Sequence, residues 1–403
     1  MSETHPILEA YRDIAPRGTL DLVYKLADTV KGKTFLHVNS TRTGGGVAEM
    51  LNRLMPLFNE LDIKARWEVI EGSPLFYKCT KTFHNALQGM MVNVSDELYE
   101  EYKRINTIAA QKIDLKADVA IIHDPQPAAL VNFKPKNSKW VWRCHVDASR
   151  PQRKVWHFLK QYIDKYDSAI FSLPSFSQRL AIPQYLIYPS IDPLSEKSRD
   201  LTKDEIRAVL DKYKIPNDKP IILQVSRFDK FKDPLGVIRA YKLVKQYNDC
   251  CLVLAGGSAD DDPEGLQVLE YVNAAAEGDP DMFILNLSPN AHHDINALQS
   301  AASVILQKSL REGFGLTVAE AMWKGKPVIG GAVGGITTQI IYGKTGFTVN
   351  SVEGCAYRVR YLLNNPDFSE KLGRRAKEYI RNNFLITRHI CDYLSLINLI
   401  TKN

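Results

Sequence analysis

A chain of 403 residues is too long for one ordinary domain, and its 45% apolar content is enough to fill two cores. The 52 Lys and Arg against 46 Asp and Glu leave a net charge of +6, scattered rather than gathered in runs, which argues against a nucleic-acid partner and suits small anionic substrates. No window approaches the roughly 18 apolar residues of a membrane span, the first 20 residues do not read as a signal peptide, and the six cysteines lack paired spacing, so reduced thiols in a cytoplasmic protein are expected.

In chain order, strands are predicted at 34–39, 65–70, 119–123, 140–145, 169–171 and 186–188, then at 221–226, 251–255, 283–286, 304–307 and 327–330. Amphipathic helical stretches such as 47–60 and 234–246 lie between them. Continuous apolar strands alternating with helices imply parallel sheets covered on both faces. The fold class is therefore α/β, with two doubly wound Rossmann-like domains at 1–192 and 193–384. The segment 385–403 is expected to pack back on the first. Ligands of such sheets bind beyond the carboxyl ends of the strands, so the two domains are expected to face each other across a cleft that holds the site.

Three motifs sit at strand ends. Gly44, Gly45 and Gly46 follow the first strand and form a backbone lip over the expected cleft; their spacing is neither G-x-G-x-x-G nor a P-loop. Arg227 and Lys232 follow the strand 221–226, in the right crevice to neutralise a diphosphate, unless the loop is merely a solvated run of charges. Arg311-Glu312-Gly313-Phe314-Gly315-Leu316 follows the strand 304–307 and opens a helix near Gly315. The peptide N–H groups of Phe314, Gly315 and Leu316, backed by the helix dipole, form a diphosphate cradle. Glu312 can reach sugar hydroxyls and Glu320 the two hydroxyls of a ribose; a fully helical path would put them about 12 Å apart. The bland alternative makes Glu320 a surface residue and Glu312 a charge favoured by the dipole. Asp260-Asp261-Asp262 reads as a solvated turn, and the adjacent His292 and His293 cannot share one metal, so no metal ligands are assigned.

Together the three motifs resemble the retaining nucleotide-sugar glycosyltransferases of family 4, which have the GT-B fold. The likeness continues through Lys326-Pro-Val-Ile-Gly-x-x-Val-Gly-Gly335 to Gly343-Lys-Thr-Gly-Phe347. Thr80-Lys-Thr-Phe-His-Asn-Ala-Leu-Gln-Gly89, His123-Asp124-Pro125 and Trp142-Arg143-Cys144-His145-Val146-Asp147 look like the glycosyltransferring trehalose synthases. The resemblance implies transfer of glucose from an NDP-glucose to glucose, forming trehalose with retention. It makes His145 the residue facing the donor near its anomeric carbon, with Arg227, Lys232 and Glu312 as its catalytic companions. It makes Lys81, His84, Asn85, Gln88, Arg143 and Asp147 the acceptor side. No cofactor is implied beyond Mg²⁺ travelling with the diphosphate, and no partner beyond a homodimer mate, with no nucleic acid and no membrane. Trehalose phosphorylase and a nucleotide-sugar epimerase are the alternatives. Gly331 departs from the pattern, standing where a larger, often basic side chain is expected.

Overall fold

The computed structural model describes residues 5–43, 45–257 and 263–402; Gly44 and Asp260-Asp261-Asp262 lie outside the described residues. The chain forms two compact units, one of Met1–Ser190 with Ile386–Asn403 and one of Ile191–Leu385. No described helix is long and apolar enough to cross a membrane.

The first unit is built on β1 (Thr34–Asn39), β2 (Lys64–Val69), β3 (Val119–His123), β4 (Lys139–Cys144), β5 (Ser168–Phe171) and β6 (Gln184–Leu186). They lie in the order β2-β1-β3-β4-β5-β6, and every pairing is parallel. Side chains alternate between the faces of a strand. Leu36 and Val38 enter one core with Trp140, Trp142 and Phe171. Phe35, Ile121, Val141 and Ile170 enter another, closed by Ile390, Tyr393, Leu394 and Ile397 of the helix Ile386–Lys402. The apolar stripe of that terminal helix thus completes the first unit's core, with each fully buried large side chain contributing about 1.5–3 kcal/mol.

The second unit carries β7 (Ile221–Val225), β8 (Cys251–Gly256), β9 (Met282–Asn286), β10 (Val304–Gln307), β11 (Val328–Gly331) and β12 (Phe347–Val349). Their order is β12-β11-β10-β7-β8-β9, again all parallel. Strand β12 is absent from the sequence reading. Both sheets reverse their strand order once, between β1 and β3 and between β7 and β10. All six cysteines are buried and free, and Cys250 and Cys251 are core hydrophobes at 0% exposure.

Candidate active site

In the second unit the predicted residues gather at the reversal between β7 and β10, the crevice where doubly wound sheets bind ligands. Asp229 shapes the loop after β7: its Oδ1 accepts from the N–H groups of Phe231 (2.9 Å) and Lys232 (3.2 Å). Lys232 Nζ then donates to Glu312 Oε2 across 2.6 Å. Ser309 Oγ donates to the same oxygen at 3.1 Å, and Gln307 Nε2 approaches it at 3.4 Å. Arg227 pairs with Asp229 at 3.0 Å, its side chain 64% exposed and so open to an anion.

Gln224, buried inside β7, joins both loops. Its Nε2 donates to the Lys232 carbonyl (2.9 Å) and its Oε1 accepts from Lys308 N (3.0 Å). Lys308 in turn pairs with Asp233, whose Oδ1 caps the helix Pro234–Lys245 through Gly236 N at 3.1 Å. Sequence reasoning missed Gln224; a polar residue in an otherwise apolar strand was its only signal.

The helix Leu316–Trp323 starts immediately after Gly315, which turns the chain at φ 84°, in the left-handed region that glycine tolerates. Val318 N–H donates back to Gly315 O at 2.9 Å, while the N–H groups of Leu316 and Thr317 have no acceptor within the helix, so this end favours an anion. Gly313 O accepts from Gly335 N (2.9 Å) and Phe314 O from Gln339 Nε2 (2.6 Å). Phe314 itself is buried against Phe384, so it contributes backbone rather than a ligand-facing ring. Gly334 presses on the cradle from behind: a Cβ there would lie 1.8 Å from Glu312 O. Glu320 is 4% exposed, with Lys197 Nζ 3.9 Å from its Oε1, so it is not the surface residue of the bland alternative. At Gly331 a Cβ would meet Ser309 O at 2.1 Å, so the expected larger side chain has no room.

In the first unit, Gly45 (φ 80°) and Gly46 open the helix Gly45–Glu60. Lys81, His84 and Asn85 lie on the helix Pro74–Leu87, and Gln88 is its C-cap. Their spacing puts them on one helical face, while Phe76, Phe83 and Leu87 fill the core from the other. His84 and Gln88 join through Nε2 and Nε2 at 2.9 Å. The loop after β4 is tied to this helix by Gln152 N, which donates to Ala86 O at 2.8 Å. Within that loop Asp147 Oδ1 accepts from Ser149 N at 3.0 Å.

His145 leaves the carboxyl end of β4 partly exposed. Its backbone N–H donates to Asp124 Oδ1 (2.7 Å), and its ring Nε2 accepts from Arg143 Nε (3.2 Å). Asp124 adopts φ 62°, donates its own N–H to Arg143 O (2.7 Å) and is pushed up to about 7 by burial. Burial first, then the Arg143 charge, holds the His145 imidazole well below the usual histidine range, hence neutral. The acceptor contact expected of Arg143 needs correcting. Its guanidinium is fully buried, donates to Ile187 O at 3.1 Å and lies 5.4 Å from the centre of the Tyr393 ring, so it supports His145 rather than facing a ligand. Arg143 occupies the strand face turned to the terminal helix, a placement set by register.

Two parallel doubly wound units, with cations and a carboxylate at the second switch point, define a glycosyltransferase of the GT-B fold. Residues 37–178 match the family described as trehalose synthase, N-terminal domain, and residues 205–379 match glycosyl transferases group 1. The trehalose synthase of Pyrococcus horikoshii is 47% identical over 97% of this chain and 96% of its own length. A trehalose phosphorylase of Pleurotus pulmonarius is 28% identical over 97% of this chain but only 59% of its own length. Among solved structures, an α,α-trehalose-phosphate synthase (UDP-forming) from Burkholderia xenovorans superimposes with a TM-score of 0.72 at 12% identity, covering 91% of this chain and all of that one, a likeness of fold. This chain belongs to the trehalose synthase family of glycosyltransferases.

Proposed function

We propose that the protein transfers glucose from a nucleoside-diphosphate glucose to free glucose with retention, forming trehalose. The observation that carries this reading is the Lys232–Glu312 pair, 2.6 Å long, beside the helix start at Leu316. A cation suited to a diphosphate beside a carboxylate suited to sugar hydroxyls supports this reading. Glu320 would hold the ribose, and Arg227, Lys232 and the helix start would take the charge of the departing phosphate.

The acceptor hydroxyl attacks the anomeric carbon from the leaving-group side. The new C–O bond forms as the bond to the phosphate oxygen breaks, the electron pair stays on that oxygen, and the hydroxyl proton moves to it. His145 faces the donor glucose, while Lys81, His84, Asn85, Gln88 and Asp147 read the acceptor. Magnesium would arrive on the donor diphosphate, and no resident metal is assigned.

The test incubates purified protein with UDP-, ADP- or GDP-glucose, with and without glucose, and reads products by anomer-resolved NMR. Trehalose formed only when both substrates are present supports the reading. Glucose 1-phosphate formed from trehalose and phosphate, without disaccharide from any nucleotide sugar, replaces it with phosphorolysis.

A further inference from the structure

Three imidazoles of the first unit form a hydrogen-bonded string. His37 Nδ1 lies 3.0 Å from His123 Nε2, and His123 Nδ1 lies 2.9 Å from His145 Nε2. The rings stack, with centroids 5.3 and 5.2 Å apart. Strand register explains the geometry. Ile121 pairs with His37, and Arg143 pairs with His123. Each imidazole therefore stands two residues beyond its predecessor's partner, on the same sheet face, and the string climbs diagonally toward the carboxyl edge.

The proton positions along this string are determined by its end. Arg143 Nε–H can only donate, so His145 Nε2 must present a lone pair to it across 3.2 Å. A second donor-free nitrogen cannot bond that lone pair, so His123 carries its proton on Nδ1. His123 is neutral, which leaves its Nε2 to accept from Nδ1–H of His37. The reverse order would point a His145 Nε2–H at the Arg143 N–H. His37 Nε2 ends the string as a buried acceptor without a donor, a milder cost than an orphaned N–H.

We infer that His37 and His123 are positioning residues that hold His145 as its Nδ1–H tautomer, so that the group His145 offers a substrate is a hydrogen-bond donor and not a base. The groups around the string agree. His389 and Tyr393 of the terminal helix pack at its buried end, and Arg143 and Arg388 place positive charge nearby. Burial keeps His37, lowered to about 3, His123 and His145 neutral. As to catalysis the inference rests on the proposed transfer reaction: an imidazole that donates rather than accepts fits a mechanism in which the leaving phosphate, not His145, takes the proton. The tautomer itself does not rest on that reading.

The experiment is long-range ¹⁵N–¹H NMR of the full chain labelled at histidine, at neutral pH and without substrate, with His145→Asn used to assign the signals. The expected result is His145 protonated on Nδ1, and likewise His123 and His37. Protonation of His145 on Nε2 overturns the inference even if the wild type makes trehalose. If no trehalose forms but the Nδ1 signals stand, only the catalytic reading falls. His123→Leu is then expected to mix the His145 tautomers and lower kcat about tenfold with little change in KM for the donor, and His123→Asn, which keeps a donor at the Nδ1 position, is expected to restore most of both. Unmixed tautomers in folded His123→Leu would show that the string does not position His145.

Discussion

Lys232 Nζ and Glu312 Oε2 lie 2.6 Å apart, joining the loop after β7 to the loop after β10 at the point where the second sheet reverses its strand order. Both side chains are largely buried, 17% and 10% exposed, so each is the other's main charge partner before a ligand arrives. In the proposed reaction, a diphosphate entering this crevice would draw Lys232 away and leave Glu312 ready for sugar hydroxyls.

Replacing Lys232 with Met removes the cation while keeping a similar volume. Loss of one charge-stabilising donor at a transition state costs about 10²–10³-fold in kcat. Steady-state kinetics with the preferred NDP-glucose should show that fall, together with a raised donor KM. A kcat within a factor of a few of wild type would remove Lys232 from the charge-stabilising set.

Gly334 has φ 46°, and a Cβ there would sit 1.8 Å from Glu312 O, the backbone that carries the proposed sugar-binding carboxylate. Gly18 has φ 83° with nothing within 4 Å of its Cβ position. Gly18→Ala should lose about 1–2 kcal/mol from backbone strain, and Gly334→Ala should lose more, because its Cβ also clashes with the Glu312 backbone. Only Gly334→Ala should also raise the donor KM, because the cradle must move. Urea melts and kinetics on the pair separate the two effects.

Arg143→Gln tests the support of His145. The guanidinium fills a site at 0% exposure and serves both Ile187 O and His145 Nε2. Losing those two bonds from a charged donor, at about 1.5–3 kcal/mol each, should destabilise the fold by about 3–6 kcal/mol. Activity should fall even in the folded fraction, since His145 loses the donor that selects its tautomer.

Four histidines of the first unit, His37, His123, His145 and His389, have pKa values lowered mainly by desolvation. Unfolded, they take up protons below about 6.5; folded, they do not. Their stability contribution is therefore fully present above pH about 6.5 and lost on acidification. Asp124, raised to about 7, acts in the opposite sense, since folded it is already protonated where the unfolded carboxyl is not. Four imidazoles against one carboxyl leave a net uptake of about three protons on unfolding near pH 5.5, so stability should fall steeply from pH 6.5 to 5. Urea unfolding across that window checks it, and His37→Phe should flatten the slope by about one proton.

What the sequence determined by itself was whatever neighbouring residues encode. Apolar runs announced the inner strands, because a parallel strand buried on both faces needs continuous apolar residues; β12 was missed, and the run at 186–188 meets β6 (Gln184–Leu186) at one residue only, since that edge strand is largely exposed. The helix start at Gly315 and the companions Arg227, Lys232 and Glu312 were legible because each lies a few residues past a strand end, where the fold class alone dictates a ligand crevice. Tertiary structure decided which of the polar residues are buried and which way they face. Arg143 and His145 are two residues apart, yet one is sealed beneath the terminal helix and the other reaches the strand's end. The His37–His123–His145 string draws on β1, β3 and the end of β4, and it exists only because their register steps the three rings diagonally up one face. Register is a relation between strands distant in sequence, and no local pattern carries it.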